Sequence, residues 1–132
     1  MIVADASAVV AALVSRTPVG DAARARMLTE PVAAPEILDL EVASVLRRHV
    51  HHGHISLPKA DEALDVFIEM PVQRIPHAPL LRRVWELRDN VTPYDASYAA
   101  AAELFGVVLV TADAKLAAAP GIRCRVEVLP RN

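Results

Sequence analysis

The run Val107-Val108-Leu109-Val110 constrains the fold most, because it is apolar at every position rather than at alternate ones. A strand with one wet face alternates, whereas a strand covered on both faces does not, and such strands belong to parallel sheets between helix layers. Shorter runs fit the same sheet: Ile2 to Ala4, Val32-Ala33-Ala34, Val72 to Ile75 between Pro71 and Pro76, and Val126 to Leu129. Helical segments separate them. One runs from about Ser7 to Val14, and the next opens at Thr17-Pro18, an N-cap followed by proline at the first helical position, and reaches about Leu28. Pro31 stops it. Further helices are expected from Glu36 to about His49, with Gly53 ending the region, and from Ser56-Leu57-Pro58 to about Met70. Others follow from about Leu80 to Arg88, from Tyr94 to Leu104, and briefly after Asp113. Strands alternating with helices predict an α/β domain with a central parallel sheet of roughly four to five strands, flanked by helices on both faces.

The 132 residues make one domain, residues 1–132, with no room for a second. At 54% apolar residues, the core needs neither disulfides nor structural metal, and the single cysteine, Cys124, has no intramolecular partner. That suits a reducing compartment. A strand-like segment begins directly after Met1 with no basic leader. The most apolar stretch, Ala96 to Val110, is broken by Glu103 and Gly106 and is too short to span a bilayer. The expectation is a soluble, cytoplasmic protein without membrane contact. A net charge of −2 is not that of an ordinary nucleic-acid binder. The basic residues are nearly all arginine, which suits phosphate, but a codon bias gives the same count.

Chemistry is expected beyond the carboxyl ends of the strands, near the switch in strand order. Asp5 directly follows the first strand, and Asp113 holds the equivalent place after Val107 to Val110. Asp95 lies in the first turn of the helix opened by Thr92-Pro93-Tyr94. Glu41 is the most informative acid. Its neighbours one turn away are Ile37, Leu38, Ser44 and Val45, which put it inside the apolar stripe of its helix. Asp39, about 200° around that helix, is the ordinary solvated acid. A buried carboxylate needs a partner, and no lysine or arginine lies one turn from Glu41.

Each acid has a structural reading too. Asp5 and Asp113 can cap the helices they precede, Thr92-x-x-Asp95 resembles a capping box, and Glu41 could meet an arginine across the core. These readings give no reason for four acids to converge. Converging carboxylates resist full ionisation, and a hard divalent cation relieves them through the oxygen ligands it prefers. Such an ion activates water and stabilises charge on phosphate, so phosphodiester hydrolysis is the natural reaction.

With those residues in place, the sequence resembles the PIN-domain ribonuclease family, particularly VapC-type toxins of VapBC toxin–antitoxin systems. The matching segments are Ile2-Val3-Ala4-Asp5-Ala6-Ser7, Leu40-Glu41-Val42-Ala43-Ser44-Val45-Leu46, Thr92-Pro93-Tyr94-Asp95-Ala96-Ser97-Tyr98-Ala99-Ala100 and Val110-Thr111-Ala112-Asp113-Ala114-Lys115-Leu116. They stand in family order over most of the chain. The resemblance implies a single PIN-like domain with a catalytic Mg²⁺ site, Mn²⁺ substituting, held by Asp5, Glu41, Asp95 and Asp113. Asp5 and Asp95 rank first as ligands. Ser7 and Thr111 match small hydroxyl positions that orient the acids or a water. It further implies RNA cleavage, a homodimer, and inhibition by a cognate VapB-type antitoxin. It identifies neither the RNA target nor the residues that choose it.

Other features compete for attention. His49, His51, His52 and His54 lack a nearby cysteine and a common zinc spacing, and read as the solvated end of a helix whose dipole favours histidine. His77 reads as a surface turn residue, and Trp85 as core or dimer packing. Arg47, Arg48, Arg82 and Arg83 read as a wet face or an RNA path. Two rival functions remain. A phosphotransfer or phosphatase domain on a similar sheet would use Asp5 as nucleophile, but a dehalogenase-type site wants an acid where Ser7 stands, and Glu41 has no role in it. A non-catalytic protein-binding module has no need of the four acids.

Overall fold

The computed structural model describes residues 1–131. The elements are β1 (Ile2–Ala4), α1 (Ala6–Val14), α2 (Pro18–Thr29), β2 (Val32–Pro35), α3 (Ile37–His51) and α4 (Leu57–Glu69). They continue with β3 (Val72–Ile75), a 3-10 turn (Ala78–Leu80), α5 (Leu81–Glu86), α6 (Pro93–Phe105), β4 (Val108–Thr111), α7 (Ala114–Ala118) and β5 (Val126–Val128). All five strands are parallel, in the order β3-β2-β1-β4-β5. The chain builds outward from β1 to β3 on one side, then returns to lay β4 against the free side of β1. The switch point therefore lies between β1 and β4, beyond Ala4 and Thr111.

Two helix groups cover the sheet. One gathers α1 with α2, α3 and α4, and the other pairs α5 with α6, which lies on β1, β2 and β4. The core contains every residue of β1 and β2 together with Leu38, Val42, Leu109, Val110 and the alanine-rich stretch Ala99 to Ala102 of α6. Those alanines let α6 lie close against the sheet. Gly20 permits a comparable approach between helices, because a Cβ there would stand 2.3 Å from the Ser15 carbonyl oxygen. No helix among the described residues is long and apolar enough to cross a membrane.

The strands and helices stand close to where the pattern puts them, with three informative differences. The fourth strand begins at Val108 rather than Val107. Gly106 closes α6 in the left-handed conformation with φ 64°, and the Val107 amide donates back to the Ala102 carbonyl, so it serves the helix end. The helix expected over Leu80 to Arg88 is shorter and is preceded by the 3-10 turn, which follows Pro76 and contains Pro79. Trp85 is not core. It is 61% exposed, with the Arg88 guanidinium 4.8 Å from its ring centre.

His77 also does more than fill a turn. Its Nε2 accepts from the Ile37 amide at 3.0 Å, satisfying a donor at the start of α3, where Glu36 offers no side-chain cap. Asp39 is not simply solvated either, because Arg74 on β3 donates from Nε to both its oxygens at 2.9 and 3.0 Å.

Candidate active site

The β1–β4 ladder runs one residue past β1. The Asp5 amide donates to the Val110 carbonyl at 3.1 Å, which fixes Asp5 at the carboxyl edge of the sheet. Its side chain is 7% exposed and is held by three donors. Ser7 Oγ donates to Oδ1 at 2.7 Å, the Ala8 amide to Oδ1 at 3.0 Å, and Thr111 Oγ1 to Oδ2 at 2.5 Å. The two hydroxyls accept in turn: Ser7 from the Ala112 amide at 2.9 Å, Thr111 from the Asp113 amide at 3.0 Å. Both hydroxyl protons are thus committed to Asp5, although the two oxygens lie only 3.2 Å apart. The network ties the loop after β4 to the start of α1.

Asp5 is also the N-cap of α1, and Asp113 caps α7 by accepting from the Lys115 amide at 2.9 Å. The capping readings of both are therefore correct, and each leaves carboxylate lone pairs free. Thr92 caps α6 by accepting from the Asp95 amide at 3.2 Å, so the Asp95 carboxylate itself is left for other work. Glu41 is half-buried on α3 between the fully buried Leu38 and Val42. Its partner is not an arginine across the core but the buried Tyr98 of α6, whose hydroxyl donates to Oε1 at 2.5 Å. Tyr98 lies one turn after Asp95, so one face of α6 brings an acid and a phenol to the same edge. Its place within the matching segment, three residues after Asp95, was the available signal for it.

The acids feel one another. Burial raises the Asp5 carboxyl above its ordinary range against the three hydrogen bonds that lower it, and the charge of Asp95 adds to the rise. Burial likewise raises Glu41, opposed by Tyr98 and reinforced by Asp95 and Asp5. Asp95 is raised by burial and then by Asp113. Burial, followed by the bond to Glu41, pushes the Tyr98 phenol up. All four acids of the sequence reading thus belong to one electrostatic group, with Arg48 a minor opposing charge on Glu41. They are near but not closed into a cage. Among the described residues, no three His, Cys, Asp or Glu side chains stand close enough to hold an ion as placed.

The donor set still fits a hard cation. It consists of carboxylate and hydroxyl oxygen, and no salt bridge among the described residues involves these acids. Mg²⁺ keeps several waters and is commonly bound through one or two carboxylates together with substrate phosphate, so a full protein cage is not required. Asp95 and Asp113 line a cleft of ≈ 690 Å³ with Thr92, Arg88 and Lys115, large enough to admit such a substrate. The histidine cluster stands apart from the acids, at the end of α3, where His49 Nδ1 and His54 Nδ1 are 3.4 Å apart.

A parallel sheet carrying an acidic, hydroxyl-braced centre at its switch point defines a class, and comparison with known proteins places the chain within it. The PIN domain family model matches residues 2–122. Ribonuclease VapC1 of Mycobacterium tuberculosis is 41% identical over 128 residues, covering 96% of each chain. Ribonuclease VapC9 of the same organism is 38% identical over 131 residues, covering 99% of this chain and all of the relative. Among solved structures, M. tuberculosis VapC20, described as a Sarcin-Ricin loop cleaving toxin, aligns with a TM-score of 0.72 at 19% identity, over 98% of this chain and 100% of that one. VapBC2 from Rickettsia felis, bound to a DNA fragment from its promoter, aligns at 0.67 and 19%, with the same coverage. The chain belongs to the PIN domain family and, within it, to the VapC-type ribonuclease toxins.

Proposed function

We propose that this protein hydrolyses RNA phosphodiester bonds at the centre formed by Asp5, Glu41, Asp95 and Asp113, with Mg²⁺ as cofactor and Mn²⁺ able to replace it. The observation that carries the reading is the placement of these acids at the switch point, where hydrogen bonds from Ser7, Ala8, Thr111 and Tyr98 hold Asp5 and Glu41 and none of the salt bridges among the described residues involves any of the four. When bound by these residues, a divalent ion would supply activation of water and stabilisation of charge on the phosphate.

The chain's own residues have distinct tasks. Asp95 carries the least committed carboxylate and is the first ligand. Asp5 presents its remaining lone pairs in one orientation, because Ser7, Thr111 and Ala8 hold both its oxygens. Glu41 accepts from Tyr98 at Oε1, which leaves Oε2 to take a proton from the attacking water. Its raised pKa brings it closer to the range of a useful general base. Asp113 caps α7 through Oδ1, which leaves Oδ2 free to help hold an ion.

The partners follow from the family: RNA as substrate and a VapB-type antitoxin as inhibitor, in the cytoplasm. The chain works as one PIN-like domain, since β5 lies beyond the matched span yet pairs with β4 from Leu109↔Val126 to Thr111↔Val128. A homodimer is also proposed. The exposed Leu81 and Trp85, one turn apart on α5, are apolar surface for it to cover.

The test is incubation of the antitoxin-free protein with total RNA and tRNA in Mg²⁺, Mn²⁺ or EDTA, beside Asp5→Asn and Asp95→Asn. Discrete cleavage that needs the metal and vanishes in both variants is expected. Equal cleavage by wild type and variants would remove the assignment.

A further inference from the structure

A second groove, of ≈ 670 Å³, flanks the acid centre and shares no lining residue with the Asp95–Asp113 cleft. It starts at Ser7 and Ala112, beside Asp5 and Asp113, and runs outward between α1, the α1–α2 turn and the far end of α3. Its charged lining is of one sign. Arg16, Arg48 and Arg131 contribute, His49 and His54 stand beside them, and no aspartate or glutamate lines it. In a chain of net charge −2, that segregation is local rather than a reflection of composition.

The backbone explains the placement. Arg48 follows Glu41 by seven residues on α3, so both project from one face, about 10 Å apart along the axis. The face that offers Glu41 to the acid centre therefore offers Arg48 two turns further out. Arg131 donates through Nη2 to the Ala112 carbonyl at 3.0 Å, which anchors its guanidinium on the loop between Thr111 and Asp113. Arg24, Arg26, Arg74 and Arg83 are each paired with carboxylates. Among the described residues, none of the salt bridges takes up Arg16, Arg48 or Arg131. These three keep the forked donor geometry that matches phosphate oxygens.

We infer that this groove holds the phosphates of the RNA strand on one side of the scissile bond, with Arg48 and Arg131 contacting those nearest the acids and Arg16 one further out. The inference rests on the ribonuclease reading and gives it a direction. The strand passes from the acidic cleft over Ser7 and Ala112 into the basic groove. Acids without such a neighbour would repel the polyanion they are meant to cut. The basic groove supplies the attraction, and its share in binding is readable as salt dependence.

The experiment measures binding of a fluorescent single-stranded RNA against salt concentration, in an Asp95→Asn background that does not cleave. Arg48→Gln and Arg131→Gln are each expected to weaken binding several-fold and to reduce the slope of log affinity against log salt by about 0.7. Arg48→Lys, which keeps the charge, should retain the slope. Arg82→Gln, outside the groove, should behave as the parent. On the cleaving background, Arg48→Gln should act mainly through KM, with an unchanged melting temperature. Unchanged slopes in both glutamine variants overturn the inference, as does an equal loss in Arg82→Gln. If wild type cleaves while those slopes stay unchanged, the nuclease stands and the groove falls. If wild type fails to cleave but the slopes drop as expected, the groove stands as an RNA surface and the nuclease reading falls.

Discussion

The Tyr98 hydroxyl donates to Glu41 Oε1 at 2.5 Å, joining two helices on which these residues lie 57 positions apart in sequence. This bond lowers the Glu41 pKa against burial. Tyr98→Phe keeps the ring and removes only the donor. The expected result is a further rise of the Glu41 pKa, seen as an upward shift of the acidic limb in the pH–rate profile and weaker Mg²⁺ binding. Loss of the bond costs about 1 kcal/mol of stability. A profile that does not move would show that Glu41 plays no part in the rate.

Thr111 is fully buried and gives its proton to Asp5. Thr111→Val is nearly the same shape, so packing survives while a buried carboxylate loses a donor. The expected cost is about 1–3 kcal/mol in urea unfolding near neutral pH. Asp5→Asn combined with Thr111→Val should recover part of it, because no buried charge remains. If the double variant is no more stable than Thr111→Val alone, the buried charge is not the cause.

Asp5, Glu41 and Asp95 all titrate above their ordinary ranges, burial being the first cause in each. Between the unfolded values, near pH 4, and the raised folded values, the folded chain holds protons that the unfolded chain has released. The stability these acids give is thus present at the low end of that window and declines as pH rises through it. Glu30, held low by the Arg26 hydrogen bond, and Glu103, whose burial is outweighed only by Arg83 together with the Arg123 and Cys124 amides, act oppositely. Their contribution is present above the unfolded range and fades as pH falls through their folded values. Melts in EDTA should therefore peak at mildly acidic pH. Mg²⁺ should raise the neutral-pH midpoint in proportion to its binding, and Asp95→Asn should raise it without metal. A metal-free midpoint that climbs steadily from pH 5 to 8 would contradict the coupling.

His77 caps α3 from a loop forty residues away in sequence. His77→Ala should destabilise the chain by about 0.5–2 kcal/mol, the usual range for a lost N-terminal partner. Because α3 carries Glu41, cleavage should fall more than stability alone explains, measured well below the melting midpoint. Equal activity at equal folded fraction would confine His77 to a structural role.

Most of the architecture was legible because its signals are local. Proline and glycine punctuate the elements, and the unalternating run of β4 announces a sheet covered on both faces. Asp5, Asp95 and Asp113 were legible because each sits at a strand end or helix start that the pattern already marks, and Glu41 because it stands inside the apolar stripe of α3. What escaped depends on contacts between distant segments. Nothing near Glu41 points to Tyr98, nothing near Ile37 points to His77, and Asp39 finds Arg74 only once α3 lies beside β3. Trp85 stayed open between core and dimer packing for a related reason: apolar spacing on a six-residue helix does not say which side faces the sheet, and its exposure excludes only the core.

The site also has a history along the chain. Asp5 is made well before Thr111, which holds it and lies 106 positions later. Strand β1 has no partner on that side until β4 has been synthesised. A ribosome translating this message therefore carries an unassembled centre until Thr111 and Asp113 have emerged. Fragments released early lack Asp113 and the brace on Asp5 together. The order of strands thus delays activity until β4 has been made, a useful delay for an enzyme that attacks RNA beside the machinery that makes it.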